Sequence, residues 1–530
     1  MPPQADTPPL IPLPTHLELR AGTFALTAAT VLTADAANLP NAHYLQTFLG
    51  SPTGFPFPIQ EKPPEHLPII RLQTGGNAHL GREGYTLTIT PHTLTLTAPT
   101  PTGVFYGLQT LRQLLPPEIE RRAPVPNPSW QIPCLIIEDA PRFSWRGFML
   151  DEGRHFHGKE TVLRLLDWMA LQKLNTFHWH LTEDQGWRLE IQQFPRLTEI
   201  GSHRTSTSPS MFDASDGTPH GGFYTQEEIK SIVAYAAERH ITVIPEIEIP
   251  GHSLAALAAY PELSCTGGPF EVATRFGIFP DIYCAGKEST FTFLTGVLDE
   301  VMSLFPSPVI HIGGDEAPKS RWKKCPVCQA RMKQEGLKTP HALQGYVTNR
   351  IAAYLSAHGR RAMGWNQILH EELDEQAIVH YWVGNQKPVI EAIKNGRDVV
   401  MSAFLHTYLD HGYSLTSLRK AYQYDPILPK LDAHAQHILG LEAPLWTEFV
   451  PTRARLDYQT FPRLLAFAET GWTLQARKNY PDFQQRLAAF APRLDELGIQ
   501  YARGNDLKPN WLKQSLGIFT IIQPQTKTAS

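Results

Sequence analysis

The chain has no run of lysines or arginines and no basic excess: across 530 residues the formal net charge is -4. Nucleic acid and anionic membrane both call for concentrated positive charge, so neither is an expected partner. No apolar run approaches the roughly 20 residues that cross a bilayer. The N-terminus, Met1-Pro2-Pro3-Gln4-Ala5-Asp6, has neither the basic nor the apolar region of a signal peptide. That reads as cytoplasmic for a complete chain, and as periplasmic or secreted for one whose leader was removed. Cysteine is scarce, at five residues. Cys265 and Cys284 bracket a Gly/Pro-containing loop and could be bridged in an oxidising compartment. Cys325 and Cys328 form a CxxC, but no second CxxC or zinc-finger histidine pair follows, so no structural metal is expected. Cys134, inside Ile132-Pro133-Cys134-Leu135-Ile136-Ile137, reads as core.

What is present describes a folded, soluble protein: 42% hydrophobic and 18% charged residues. The length suits two or three domains. Residues 1–20 are Pro-rich and read as an irregular lead-in. Residues 21–135 read as a small α+β domain. Within it, Tyr85–Thr90 and Leu94–Thr97 alternate with period two around a Pro91-His92 turn, which predicts a hairpin. Val104–Leu115 has helical apolar spacing. Six prolines between Pro116 and Pro133 mark a natural boundary.

From about residue 140 to 500 the rhythm is short apolar strands alternating with amphipathic helices. Strands are predicted at Gly147–Leu150, Thr176–His180, Thr242–Ile247, Val309–Ile312, Ala362–Trp365, Ile378–Trp382, Val399–Ala403 and Ile438–Leu441. Helices are predicted at Lys159–Gln172, Glu227–Arg239, His341–His358 and Val389–Lys394. This alternation predicts a closed (β/α)₈ barrel of the α/β class. An open doubly wound sheet is the structural alternative, but no GxGxxG follows any of these strands. A helix over Phe483–Leu497 and an irregular tail, residues 501–530, complete the chain.

Barrel active sites sit at the C-terminal ends of the strands. The predicted strand ends carry Asp151 and Arg154; His178, His180 and Asp184; Glu246, Glu248 and His252; Asp315 and Glu316. They continue with Trp365, Trp382, His406, Tyr408, Asp410, Trp446 and Glu448. Asp315 and Glu316 follow the buried-strand pattern Val309-Ile310-His311-Ile312 and two glycines, before Ala317-Pro318, where proline can open a helix. Adjacent acids repel, which raises one pKa and leaves a protonated acid beside an ionised base, a pairing suited to glycosidic bond cleavage. Asp-Glu also occurs at Asp151-Glu152, Asp299-Glu300, Asp374-Glu375 and Asp495-Glu496, where a solvated helix face is the plainer reading for at least three. Trp365, Trp382 and Trp446 at one barrel mouth suggest aromatic walls around a sugar ring or methyl group. Arg154 and Glu448 suit hydroxyl recognition.

Several long motifs together resemble the family 20 glycoside hydrolases, the β-N-acetylhexosaminidases. They are His311-Ile312-Gly313-Gly314-Asp315-Glu316, Gly147–Asp151 with Arg154-His155, and His178–Arg188. Pro245–His252 and Ala443–Glu448 also belong, and the likeness runs from about Gly84 to Trp472. The resemblance implies a substrate-assisted mechanism, one of the exceptions to the usual carboxylate pair. Glu316 would be the general acid, Asp315 the acceptor for the substrate's acetamido N–H, and Tyr408 the donor to its oxygen. Trp365, Trp382 and Trp446 would enclose the acetamido methyl and sugar ring. Arg154, Asp410 and Glu448 would bind hydroxyls, and Asp184, Glu248 and His252 would support Glu316.

Some family members have Asp where this chain has Glu183 and Glu248, which leaves the roles of these two open. His406 and His411, flanking Tyr408 and Asp410, either line the aglycone side or form loop surface. No cofactor and no active-site metal are expected; the partner is an oligosaccharide or small glycoside ending in N-acetylhexosamine. Three alternatives stand beside this reading: release of a disaccharide unit, sugar binding by an inactivated barrel, and a metal-dependent deacetylase. The intact Asp315, Glu316 and Tyr408 oppose the second, and the absence of a spaced histidine pair opposes the third.

Overall fold

The computed structural model describes residues 8–126, 129–208, 214–370 and 372–507. The chain divides into two compact units. One contains the described residues up to Arg146 together with Asp167–Asn175 and Phe461–Ala502; the other contains the described residues of Gly147–Leu166, Thr176–Thr460 and 503–507. This division differs from a continuous barrel segment over 140–500. Most of the expected irregular tail, residues 508–530, lies outside the described residues, as do residues 1–7 of the lead-in.

The first unit holds a six-stranded sheet of β1 (His16–Ala25), β2 (Val31–Ala34), β3 (Ile69–Thr74), β4 (Tyr85–Ile89), β5 (Thr93–Ala98) and β6 (Gln131–Asp139), in the order β1-β6-β4-β5-β3-β2. The predicted hairpin is β4–β5, paired antiparallel with Ile89 opposite Leu94 and with strictly alternating burial. The lead-in is less irregular than expected: β1 begins at His16, pairing with β6 across a break in register between Leu19 and Thr23. Its residues are nearly all exposed, although Leu17-Glu18-Leu19-Arg20-Ala21 alternates in sequence. Because β6 pairs with both β1 and β4, the proline-rich stretch precedes the last sheet strand and is not the end of the unit. The helix Leu39–Thr53 also belongs to this small domain, where the sequence predicts no helix before Val104.

The second architecture is the closed barrel. Its strands are β7 (Trp145–Asp151), β8 (Thr176–His180), β9 (Thr242–Glu246), β10 (Val309–His311), β11 (Arg361–Trp365), β12 (Ile378–Tyr381), β13 (Val399–Met401) and β14 (Ile438–Leu445). Each lies beside the next in sequence, and β14 closes against β7. All eight coincide with predicted strands, most ending a residue or two from the expected position; β14 runs longer, to Leu445. Helices Gln226–Ala237, Glu288–Leu304, Pro340–Ala357 and Lys387–Lys394 separate successive strands. Thr225 opens the first with a reciprocal capping box to Glu228, and Thr339 caps the third ahead of Pro340. Pro318 does not itself open a helix; the next begins at Ser320. Among the described residues no helix is long and apolar enough to cross a membrane.

Candidate active site

The barrel centre is built around one buried carboxylate. Glu246 ends β9, in register with His180 on β8 and His311 on β10. Its Oε2 lies 2.5 Å from His180 Nδ1 and 3.0 Å from His178 Nε2, and its Oε1 2.7 Å from His311 Nδ1. The Trp365 indole N–H donates to the same Oε1 at 2.8 Å. Burial pushes the Glu246 pKa up, but the imidazoles of His311, His180 and His178 hold it well below the usual carboxylate range. In return, burial pushes all three histidines down; it prevails at His311, which stays lowered, whereas at His178 and His180 the carboxylates win. Glu442 and Glu246 draw His178 up to about 9. Glu246, with Glu183, draws His180 up to about 10. The sequence flagged Glu246 only as a polar strand end; its anchoring of Trp365 depends on strands far apart in the chain.

Glu183, whose role the sequence left open, is the next junction. Its carboxylate meets Arg154 Nη2 at 3.0 Å, His180 Nε2 at 3.2 Å and His252 Nδ1 at 2.8 Å. Burial pushes its pKa up, yet Arg154 and His252 hold it well down. Arg154 also donates through Nε to Gln185 (3.2 Å) and through Nη1 to Asp151 (3.3 Å), while Glu448 stands 3.9 Å from Nη2. A guanidinium has five N–H donors, so these contacts orient it without exhausting it. Its face lies over Trp446, 4.8 Å from the ring centroid. Asp151 ties this corner together, accepting from the backbone of Gly153, Arg154 and Thr447. The neighbouring Glu152 is no solvated acid: it is buried, accepts from the Tyr224 hydroxyl, and is pushed up to about 7 by burial.

His252 links this network to the acidic pair. Its Nε2 lies 3.8 Å from Asp315 Oδ2 and 3.7 Å from Glu316 Oε2, while Nδ1 lies 3.4 Å from Asp184 Oδ2. Burial pushes its pKa down, but Glu183 and Asp315 raise it well above that of an ordinary histidine. Asp315 is buried, and its Oδ1 has no hydrogen-bond partner among the described residues. Burial pushes its pKa up to about 6, with Glu246 and Glu316 adding repulsion that His252 only partly offsets. The upward shift expected of the pair thus falls on Asp315. Glu316 is exposed and has left-handed backbone (φ 43°).

Glu248 sits behind the pair. Burial and the charges of Asp315 and Glu246 push its pKa well up. It comes so close to Gly313 (φ +62°) that a Cβ there would fall 1.8 Å from Glu248 Oε2. At Gly314 (φ +98°) a Cβ would strike Ile368. Both glycines are required by backbone conformation and space together.

The aromatic groups face one another. Trp365 and Trp446 are 5.8 Å apart, Trp446 and Tyr408 6.4 Å, and Tyr408 stacks on Trp382 at 6.1 Å. Burial pushes the Tyr408 hydroxyl well above its usual pKa, with Asp410, Asp315 and Glu316 adding to it. His411 is not loop surface. It is buried, stacks on Tyr408 at 5.6 Å and meets Phe404 edge-on. His406 is half-buried and stacks on Tyr424.

Carboxylates, a guanidinium and aromatic faces at one end of a β/α barrel describe a carbohydrate-processing site. The profile of glycosyl hydrolase family 20, catalytic domain, matches residues 143–475, and that of the family's domain 2 matches residues 7–140. The chain belongs to glycosyl hydrolase family 20. A β-hexosaminidase of Porphyromonas gingivalis is 42% identical over 93% of this chain, which spans 64% of that protein's length. The β-N-acetylhexosaminidase of Streptomyces coelicolor superposes with a TM-score of 0.83 at 34% identity, covering 94% of this chain and 98% of that one. An exo β-N-acetylglucosaminidase of Vibrio harveyi, in complex with N-acetylglucosamine, gives 0.83 at 32% identity over 94% and 78%.

Two outcomes test this geometry. Gly313→Ala forces Glu248 away and strains the backbone, so kcat/KM should fall on the order of 100-fold with unchanged circular dichroism; wild-type activity would show that Glu248 does not need this seat. Asp315 ionises near 3.8 in its reference state and near 6 when folded. The folded state therefore holds more protons between these values, and the group's contribution to stability falls as pH rises through them. Asp315→Asn should raise Tm at pH 7 and leave it nearly unchanged below pH 4. A lower Tm at pH 7 would mean that the ionised carboxylate supports the fold.

Proposed function

We propose that the protein is an exo-acting, retaining β-N-acetylhexosaminidase. It hydrolyses terminal non-reducing β-linked N-acetylglucosamine, and N-acetylgalactosamine where the site admits it, with the substrate's own acetamido group as nucleophile. The observation that carries the reading is the asymmetry of the acidic pair. Asp315 is buried with an unpartnered oxygen beside Tyr408, whereas Glu316 is exposed. A buried acceptor suits a fixed amide N–H, and an exposed acid suits a leaving group and then water.

In the first step Glu316 gives its proton to the glycosidic oxygen as the bond to the anomeric carbon breaks. The acetamido carbonyl oxygen bonds to that carbon from the opposite face, forming an oxazolinium ring. Asp315 accepts the acetamido N–H and stabilises the positive charge, which requires the ionised form and hence pH above about 6. Tyr408 donates to the acetamido oxygen and holds it beneath the anomeric carbon. In the second step Glu316 takes a proton from water, whose oxygen opens the ring, so the anomeric configuration is retained by two inversions.

Trp365, Trp382 and Trp446 wall the methyl group and the sugar face. Arg154 turns its remaining N–H donors to the ring hydroxyls, with Asp410 and Glu448 as acceptors. Asp184, Glu248 and His252 set the charge around Glu316. This reading is supported by relatives described as β-hexosaminidases and by the N-acetylglucosamine complex of the Vibrio harveyi structure.

The deciding comparison is an aryl β-N-acetylglucosaminide against the matching aryl β-glucoside. The first should turn over readily and the second hardly at all; equal rates would sink the substrate-assisted route. Glu316→Gln should slow unactivated glycosides by about 10²–10⁴-fold and aryl glycosides with activated leaving groups far less, since those need little protonation. An equal loss on both would remove Glu316 from the acid role.

A further inference from the structure

Cys265, Cys284, Cys325 and Cys328 converge, although they come from two separate loop regions of the barrel unit. Their four sulfurs all lie within 4.8 Å of one another. The Sγ separations are 3.5 Å for Cys284–Cys328, 3.7 Å for Cys265–Cys328 and 3.8 Å for Cys284–Cys325. Cys284 and Cys328 each approach two partners about equally, which is the pattern of a cluster and not of two pairs. All four are unbridged, so the spacing that made Cys265–Cys284 a candidate disulfide does not produce one here. Thiolates about 2.3 Å from a common tetrahedral centre lie about 3.8 Å apart. The observed separations fit that arrangement.

The surrounding chain holds the sulfurs in place. The Cys284 N–H donates to Leu263 O, and Ser264 bridges to Tyr283, which fixes Cys265 beside Cys284. Cys325 and Cys328 lie at the junction between the helices Ser320–Lys324 and Pro326–Gln334. The Trp322 indole donates to Tyr283 O at 2.9 Å, joining the two regions. Gly286 passes so close to Cys328 that a Cβ would sit 2.6 Å from its nitrogen. Arg321, Lys323 and Lys324 line the last turn before Cys325, a positive flank suited to the net negative charge of four thiolates around a divalent ion. Cys284, Cys325 and Cys328 are buried and Cys265 half-buried.

We propose that these four cysteines form a structural zinc site, closed to substrate and separate from the hydrolytic chemistry. Tetrahedral all-thiolate donors select zinc, or iron as the competitor, over hard cations. Binding displaces the thiol protons and links the segment after β9, which carries Glu248 and His252, to the segment after β10, which carries Asp315 and Glu316. The CxxC motif had no partner pair in its own stretch of sequence; its partners lie upstream, in a different loop.

The test uses the full chain purified without chelator. Elemental analysis should find one zinc per chain, and denaturation with a chromogenic chelator should release it together with four protected thiols. Cys284→Ser and Cys328→Ser should lose the metal, while Cys134→Ser keeps it. Because buried replacements can misfold, two further measurements accompany them. Cys265→Ser, at the half-exposed position, should bind zinc more weakly with an unchanged far-ultraviolet spectrum. Cobalt-substituted protein should show thiolate-to-cobalt charge transfer and the intense visible bands of a tetrahedral site. Metal-free protein with freely titratable thiols, disulfides between these cysteines by intact mass, or iron in place of zinc would each overturn the proposal.

Discussion

A carboxylate stays ionised inside a protein only if other groups replace the water it has lost. Glu246 meets that condition with three imidazoles and an indole, and the barrel site is arranged outward from it. Its partners stand on β8, β10 and β11, so the closed parallel register is what brings them together. From Glu246 the contacts run through His180 to Glu183, and from Glu183 to both Arg154 and His252. His252 then reaches the acidic pair. One connected set of charges therefore holds an aromatic wall, a guanidinium and the Asp315–Glu316 pair in fixed relation. Removing any one member would leave others buried and unpaired, which is why such a network holds a single geometry.

The barrel was legible because its strands are short, apolar and buried, and because chemistry gathers at one end of this fold. Asp315 and Glu316 stood out through the strand and glycines before them. What stayed hidden depends on distant pairing. Glu183 looked like a variant of uncertain role, because nothing near it in sequence announces Arg154 or His252. His411 read as surface or aglycone wall, since a loop histidine carries no sign of the ring it packs against. The first strand follows a proline-rich stretch and is exposed almost throughout, so its brief Leu17-Glu18-Leu19 alternation marks no buried face. The four cysteines failed the spacing test for a metal because that test assumes ligands from one continuous stretch. Here two loops supply them.

The electrostatics also redistribute a role. Like-charge repulsion between neighbours was expected to raise the pKa of the acid, but the raised value belongs to Asp315, where burial adds to repulsion. The two carboxylates differ in environment more than in chemistry. One is enclosed beside Tyr408 and a cationic histidine; the other faces outward. The substrate-assisted cleavage proposed above asks for that difference, because it needs one acid to move protons and one base to hold still.

Glu316 adopts a left-handed backbone that non-glycine residues occupy at a cost of about 1–3 kcal/mol. Anyone redesigning this chain for heat tolerance would find that position attractive, because glycine or asparagine there relieves the strain. Selection on melting temperature alone would therefore favour losing Glu316, the proposed acid. A library screened first for catalytic turnover and only then for robustness would keep it, so the order of screening decides whether a hardened variant is still an enzyme.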